Sequence, residues 1–215
     1  MDRADVFVLL DNVQFKRDDW QNRNKIRTSH GWQWLTVPVM HDFGQKIFEV
    51  KINNKMDWKR MHLNAIMLNY RRAPCFEMYW EFFKEAYAQD WELLSDVNIF
   101  FIEKLAEILG ITTRIVKASD YKTSDDSTRR LIDLCQAHSA DSYLSGVDGN
   151  KYMDFQKFAE QNIDVIVQEF KHPQYPQLWK TKTSATFLTH MSAIDLLLNC
   201  GVESLSVLHS HEVAV

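Results

Sequence analysis

Three short stretches of the chain carry the residue types that can do chemistry. The first is Asp11-Asn12-Val13-Gln14-Phe15, followed by Trp20-Gln21-Asn22-Arg23-Asn24. It gathers a carboxylate, several amides and a guanidinium within fourteen positions. Arg23 can hold a phosphate or carboxylate through two parallel N–H bonds. Asp11 can accept from sugar hydroxyls, act as a base or hold a metal. Gln14, Trp20, Asn22 and Asn24 complete a set suited to gripping a polyhydroxylated or phosphorylated ligand. The competing reading is a solvated turn whose side chains bond their own backbone.

The second stretch is Ser142-Tyr143-Leu144-Ser145-Gly146-Val147-Asp148-Gly149-Asn150-Lys151-Tyr152. Ser145 and Gly146 fall at a strand end, and Gly149 opens the next helix. Such a turn can aim backbone N–H groups at an anion, with Tyr152 at its edge. It is neither a Walker A loop nor GxGxxG, and glycines also serve plain tight turns. The third stretch is Phe170-Lys171-His172-Pro173-Gln174-Tyr175-Pro176-Gln177. Its two prolines bias His172 and Tyr175 toward extended backbone. A stiff wall bearing His172, Tyr175 and Gln177 suits a binding site, with His172 as a general base or hydrogen-bond donor. An ordered loop packed on the sheet is the bland alternative. His41 is a weaker candidate. The histidines show no HExxH spacing and the cysteines Cys75, Cys135 and Cys200 no CxxC, so no metal site is expected and no cofactor is named.

These residues need elements to position them. Val6 to Leu10 is an apolar run that reads as a buried strand ending at Asp11. Ile26 to Thr28, Trp32 to Val39 and Ile47 to Ile52 read as further strands. Helices are expected from Asp57 to about Tyr70, from Pro74 to about Ala88, and from Asp90 to Gly110. The second half then alternates: a strand at Thr112 to Val116, a helix capped by Ser124-Asp125-Asp126, a strand at Ser142 to Leu144, a helix at Phe155 to Gln161, a strand at Ile163 to Val167. Ser192 to Asn199 forms a last helix, with Gly201 as its cap. Alternation of this kind implies parallel pairing. The expected fold is α/β, a mostly parallel sheet flanked by helices, with a three-helix insertion or cap over about 56–110. One domain spanning 1–215 is expected.

Composition narrows the function. The 215 residues carry a net charge of −4, which argues against a general nucleic-acid binder. Three scattered cysteines imply a reducing compartment, and no apolar run approaches the ~20 residues of a membrane span. A cytoplasmic protein is expected, its oligomeric state open.

The run Ala4 to Phe15 with Trp20-Gln21-Asn22-Arg23-Asn24 resembles the WbqC-like family of bacterial surface-polysaccharide gene clusters. So do Trp34-Leu35-Thr36-Val37-Pro38, Tyr143-Leu144-Ser145-Gly146, His172-Pro173-x-Tyr175-x-Gln177 and Ile194-Asp195-Leu196-Leu197-x-Asn199-x-Gly201. The resemblance covers nearly the whole chain. It implies a role in O-antigen, lipopolysaccharide or related glycan biosynthesis. By this resemblance, the family's usual opening, a strand and a Pro/Gly-bearing turn before the Ala-Asp-Val stretch, is expected to be missing from this chain. The family's Ser-Gly-x-Gly-Gly-Lys-like turn carries Asp148 in place of a glycine, and Lys151 is displaced by one position. An acidic side chain there weakens phosphate binding.

The leading expectation is a transferase-like enzyme acting on a nucleotide-linked sugar or carrier-linked intermediate. Asp11 and His172 would be its acid/base residues. Gln14, Trp20, Asn22, Arg23, Asn24, Ser145, Gly146, Gly149, Tyr152, Tyr175 and Gln177 would hold the substrate. The alternative is a non-catalytic ligand-binding or scaffold protein of the same pathway. A nucleic-acid module using aromatics for stacking ranks last.

Overall fold

The computed structural model describes residues 1–179 and 187–210; the side chain of Asn150, within the second stretch, lies outside the described set. The described residues divide into two compact units. Unit 1 holds Met1–Asn12 and Ile111–Lys171; unit 2 holds Val13–Gly110 and the described residues from His172 on.

Unit 1 is built from parallel strand pairs and short helices. Strand β1 (Val6–Leu9) pairs in parallel with a strand at Arg114–Lys117, and Ser142–Ser145 pairs in parallel with Asp164–Val167. The helix Ser127–Ala137 starts where Asp126 accepts a hydrogen bond from the Arg129 N–H at 2.8 Å. That bond satisfies one of the amides a helix start leaves open. Its apolar stripe, Leu131, Ile132 and Cys135, closes on Met153, Phe158 and Ile163 to form a small core.

Unit 2 holds the larger core and, in chain order, β2 (Arg23–Thr28), β3 (Gly31–Thr36), β4 (Val39–Met40), β5 (Lys51–Ile52) and helices α1 (Trp58–Tyr70), α2 (Phe76–Ala88) and α3 (Leu94–Leu109). Continuing through both units, β6, β7 and β8 are Arg114–Lys117, Ser142–Ser145 and Asp164–Val167; α4, α5, α6 and α7 are Ser127–Ala137, Phe155–Ala159, Ala193–Cys200 and Ser204–His209. The first two expected helices lie close to where apolar spacing puts them, although the Asp57 side chain makes no cap bond, and the third begins at Leu94 instead of Asp90. Gly110 ends α3 with φ 77°, a conformation that costs glycine little. Trp58, Ile66, Tyr70, Phe76, Phe83 and Leu94 from these helices are each at most 3% exposed and pack with Ile26 of β2 and Leu197 of α6. Burial of side chains this size contributes roughly 1.5–3 kcal/mol each.

The protein is thus mixed α/β, with four two-stranded pairings among the described residues, two parallel and two antiparallel. The antiparallel hairpin β2/β3 follows from its connection: Ser29 and His30 are too short to carry the chain back for a parallel partner. The expected strand from Trp32 to Val39 breaks at Val37-Pro38, since proline has no N–H to give a ladder. The expected strand Ile47 to Ile52 is a single turn at Ile47–Glu49 followed by β5. There the Glu49 carboxylate accepts from the Lys46 N–H at 2.8 Å and pulls the chain into that turn.

Candidate functional site

Alternate residues of a strand share a face, so Arg23, Lys25 and Arg27 project from the same side of β2. Their partners on β3 are Thr36, Trp34 and Trp32. The result is a ladder of cations interleaved with indoles. The Arg23 guanidinium lies 4.3 Å from the centre of the Trp34 ring. Lys25 Nζ sits 4.3 Å from Trp32, 5.0 Å from Trp34 and 5.3 Å from Trp20. The indoles meet edge to face, Trp20 on Trp34 at 5.2 Å and Trp32 on Trp34 at 5.4 Å. Trp20 is 54% and Trp32 46% exposed, so the platform faces solvent. Among the described residues Lys25 has no carboxylate partner, while Arg23 leans on the Asp18 carbonyl and carboxylate. Cation–π contacts of this kind contribute about 0.5–1 kcal/mol each when exposed.

The third rung differs. Arg27 is fully enclosed, and its Nη2 donates to the Trp179 carbonyl at 2.5 Å. Its backbone N–H donates to the Tyr70 hydroxyl at 2.8 Å, and that hydroxyl donates to Asp195 Oδ1 at 2.6 Å. Asp195, on α6, is itself fully enclosed. Its Oδ2 accepts from the Tyr175 hydroxyl at 2.8 Å and from Gln177 Nε2 at 2.9 Å. The Gln177 amide also clamps Leu188, donating to its carbonyl at 2.9 Å and accepting from its N–H at 2.8 Å. Burial, then the Asp195 carboxylate, raise the Tyr70 and Tyr175 phenols above their ordinary range. Burial lowers the Arg27 guanidinium, which the nearby Asp195 charge partly offsets. The knot therefore ties β2, α1, α6 and the 172–177 segment together through one buried carboxylate.

The expected site residues fall into both units. In unit 2, Trp20 and Arg23 belong to the ladder, and Tyr175 and Gln177 to the knot. Asn22 is buried and ties the hairpin, donating to the Val37 carbonyl at 3.1 Å. Asn24 and Gln14 are exposed, and Asn24 caps the Lys25 N–H at 2.8 Å. His172 Nδ1 donates to the Pro173 carbonyl at 2.8 Å, with its ring 5.6 Å from Phe187 and 5.5 Å from His190. His41 packs on Phe15 at 4.9 Å beside an open depression of about 590 Å³ lined by Arg17, Asp42 and Gln45.

In unit 1, Asp11 is 5% exposed, and both its oxygens are taken by Ser119: the N–H at 2.8 Å and the hydroxyl at 2.6 Å. Its neighbour Asn12 donates to the Ala118 carbonyl at 3.3 Å and the Thr123 hydroxyl at 3.2 Å. These bonds anchor the segment after β6. The Ser145 hydroxyl donates to the Gly146 carbonyl at 3.0 Å. A side chain at Gly149 would put its Cβ 2.1 Å from Ser145 Oγ and 2.6 Å from Met153 Cε, so glycine is needed there for close approach. The Gly149 N–H is committed to the Gly146 carbonyl at 3.0 Å. Asp148 pairs with Lys151 at 2.6 Å, both exposed, and Tyr152 is 57% exposed.

Lys25, Arg27 and Tyr70 are not among the residues the sequence singles out, and Asp195 stands there only within the family-like run Ile194 to Gly201. Arg23, Lys25 and Arg27 at every second position are a legible strand-face signal. A lone aspartate in the apolar run Ala193 to Leu198 is another, since a buried carboxylate requires donors.

The sequence matches the WbqC-like protein family over residues 1–207. The chain belongs to that family. It is also similar to the uncharacterized protein Rv1507c of Mycobacterium tuberculosis (strain ATCC 25618 / H37Rv), 36% identical over 205 residues that cover 94% of this chain and 86% of that protein. No solved structure matches the chain. The stretches that carry the WbqC-like resemblance land on distinct structural jobs. Trp20 to Asn24 feeds the ladder, while Tyr175, Gln177 and Asp195 make the knot. Ala4 to Asn12 and Tyr143 to Gly146 belong to unit 1. No described helix is long and apolar enough to cross a membrane.

Proposed function

We propose that this WbqC-like chain is a transferase-like enzyme of surface-polysaccharide or related glycan biosynthesis, acting in the cytoplasm on a nucleotide-linked sugar or carrier-linked intermediate. The observation that carries this reading is the ladder: two solvent-reachable cations, Arg23 and Lys25, set among three indoles on one strand face. Indole faces cover the apolar C–H faces of sugar rings or a nucleobase, and the cations meet phosphate or carboxylate. In a chain of net charge −4, a lysine with no carboxylate partner among the described residues favours an anionic ligand in such a setting. His172 is the acid/base candidate of unit 2. In unit 1 we take the two parallel pairs as parts of a mostly parallel sheet, because Tyr143 and Val165 of β7/β8 and Leu10, just past β1, pack on the same small core.

One observation favours the second reading, a non-catalytic binding or scaffold protein of the same pathway. Both carboxylates enclosed near the expected sites, Asp11 and Asp195, already have their oxygens engaged by donors. Carboxylates so engaged serve to tie the fold together.

Calorimetric titration of the full chain with nucleotides, nucleotide-linked sugars and free sugars separates the readings. A nucleotide-linked sugar should bind, with affinity falling about tenfold or more in Lys25→Ala and in Trp32→Ala, a loss of about 1.4 kcal/mol or more. Turnover in a coupled assay with a carrier acceptor supports the enzyme, and binding without turnover supports the scaffold. Absence of binding to any nucleotide-linked sugar defeats the proposal.

A further inference from the structure

The side chain of Arg27 is the most under-satisfied group in unit 2. It is 0% exposed, yet Nε and Nη1 have no hydrogen-bond partner among the described residues. Nη2 alone is matched, by the Trp179 carbonyl. A guanidinium carries five N–H donors and stays protonated, so three of them, one on Nε and two on Nη1, are enclosed without an acceptor among the described residues. No carboxylate of the described residues comes within ion-pair distance of Arg27, although Asp195 is near enough to favour its charge. The Asp195 oxygens are engaged by Tyr70, Tyr175 and Gln177 instead.

A buried cation with open donors is strongly destabilising unless something completes it. Isoleucine, leucine or methionine would fill the same volume at no such cost. Arg27 also stands in line with Arg23 and Lys25 on one face of β2, the enclosed rung of a ladder whose other rungs reach solvent. The knot around Asp195 holds the strand and its neighbours rigidly, which keeps the open donors fixed in place.

We propose that Arg27 is an anion-binding residue, taking one compact oxyanion, a phosphate or a carboxylate, through its open Nε and Nη1 donors at the enclosed end of the ladder. This rests on the reading of the ladder as the substrate face, and it names the anionic group of that substrate as the part held deepest. Tyr70, Tyr175, Gln177 and Asp195 act as positioning residues: they fix β2 and leave the anion to Arg27.

The test uses the full chain labelled with ¹⁵N and observes arginine Nε–H signals, assigning Arg27 by the signal lost in Arg27→Lys. Inorganic phosphate and acetate are titrated separately at constant ionic strength. The Arg27 Nε–H signal should move and saturate with phosphate, with acetate or with both, which tells the two anion types apart. The thermal midpoint of the wild type should rise with the same anion, and that rise should disappear in Arg27→Gln but persist in Arg23→Ala. An Arg27 signal that neither anion moves overturns the inference. So does an equal rise in a folded Arg27→Gln; if that variant does not fold, the wild-type titration still decides. Lys25-dependent binding of a nucleotide-linked sugar with a silent Arg27 defeats this inference alone. A responsive Arg27 without any such sugar binding defeats the functional reading alone.

Discussion

Replacing Asp195 with asparagine tests the buried knot most directly. The wild-type carboxylate accepts from Tyr70 at 2.6 Å on one oxygen, and from Tyr175 at 2.8 Å and Gln177 at 2.9 Å on the other. Hydrogen bonds to an ionised acceptor contribute about 1.5–3 kcal/mol each. Asparagine keeps the shape and one acceptor oxygen. With that oxygen facing Tyr175 and Gln177, their bonds persist as neutral ones of about half the strength. The new NH₂ then faces the Tyr70 hydroxyl, whose hydrogen loses its acceptor while its oxygen still takes the Arg27 N–H. Arg27 also loses the nearby negative charge that favours it. A loss of about 3–4 kcal/mol follows, near the lower end of what breaking a buried charge pair costs. For a chain of this size that lowers the thermal midpoint by roughly 6–16 °C. Urea unfolding followed by tryptophan fluorescence measures it. Tyr175→Phe alone should cost about 1.5–2 kcal/mol, and combined with Asp195→Asn it should cost less than the two separately, because they share one bond. A loss below about 1 kcal/mol for Asp195→Asn, or strict additivity in the double variant, would refute the account of Asp195 as the hub.

The pH dependence has two arms. Burial holds the His62 imidazole down at about 4, partly offset by the bond its Nε2 donates to the Thr36 carbonyl at 3.0 Å. Above about 6.5 both folded and unfolded chains keep His62 neutral; below it only the unfolded chain takes a proton. Stability should therefore fall from about pH 6.5 to about 4 by roughly 3 kcal/mol and then level off in this component; urea midpoints across that range in wild type and His62→Gln should differ in slope. Tyr70 and Tyr175 are raised above 10, so their contribution is full below that pH and lost as pH rises beyond it. Their phenolate absorbance should appear only with unfolding, and a gradual rise before the unfolding transition would contradict their enclosure. In unit 1, Gly149→Ala should destabilise by about 1–3 kcal/mol through its clash with Ser145 and Met153, and Ser145→Ala should recover part of the loss. Denaturant unfolding of the three variants checks this, and a neutral Gly149→Ala would show that the turn gives way.

Much of the local structure is legible in the residues alone. The helices α1, α2 and α3 follow from apolar spacing, and Gly110 stops α3 within a residue of its last turn. The strands β1, β7 and β8 follow from short apolar runs between breakers. The residues Trp20, Arg23, Tyr175 and Gln177 stand out as chemistry-bearing types in stiff or polar surroundings.

What the sequence by itself determined is therefore short-range: element types, caps, the three clusters, and the family to which they belong. Only the tertiary structure decided which of these residues meet. The Asp195 carboxylate joins Tyr70, 125 positions away, and Tyr175, 20 positions away. No local periodicity encodes such distances, because the bond depends on where helices and loops dock after the chain has folded. Likewise the Asp11 carboxylate, exposed to any ligand in a linear reading, is claimed by Ser119 108 positions on. The ladder lies between these cases. Its alternation is written in Arg23, Lys25 and Arg27, but the hairpin register that sets Trp34 opposite Lys25 and Trp32 opposite Arg27 is a pairing of two strands. Burial then separates the rungs, since side chains alike in sequence meet solvent at one end and a closed core at the other.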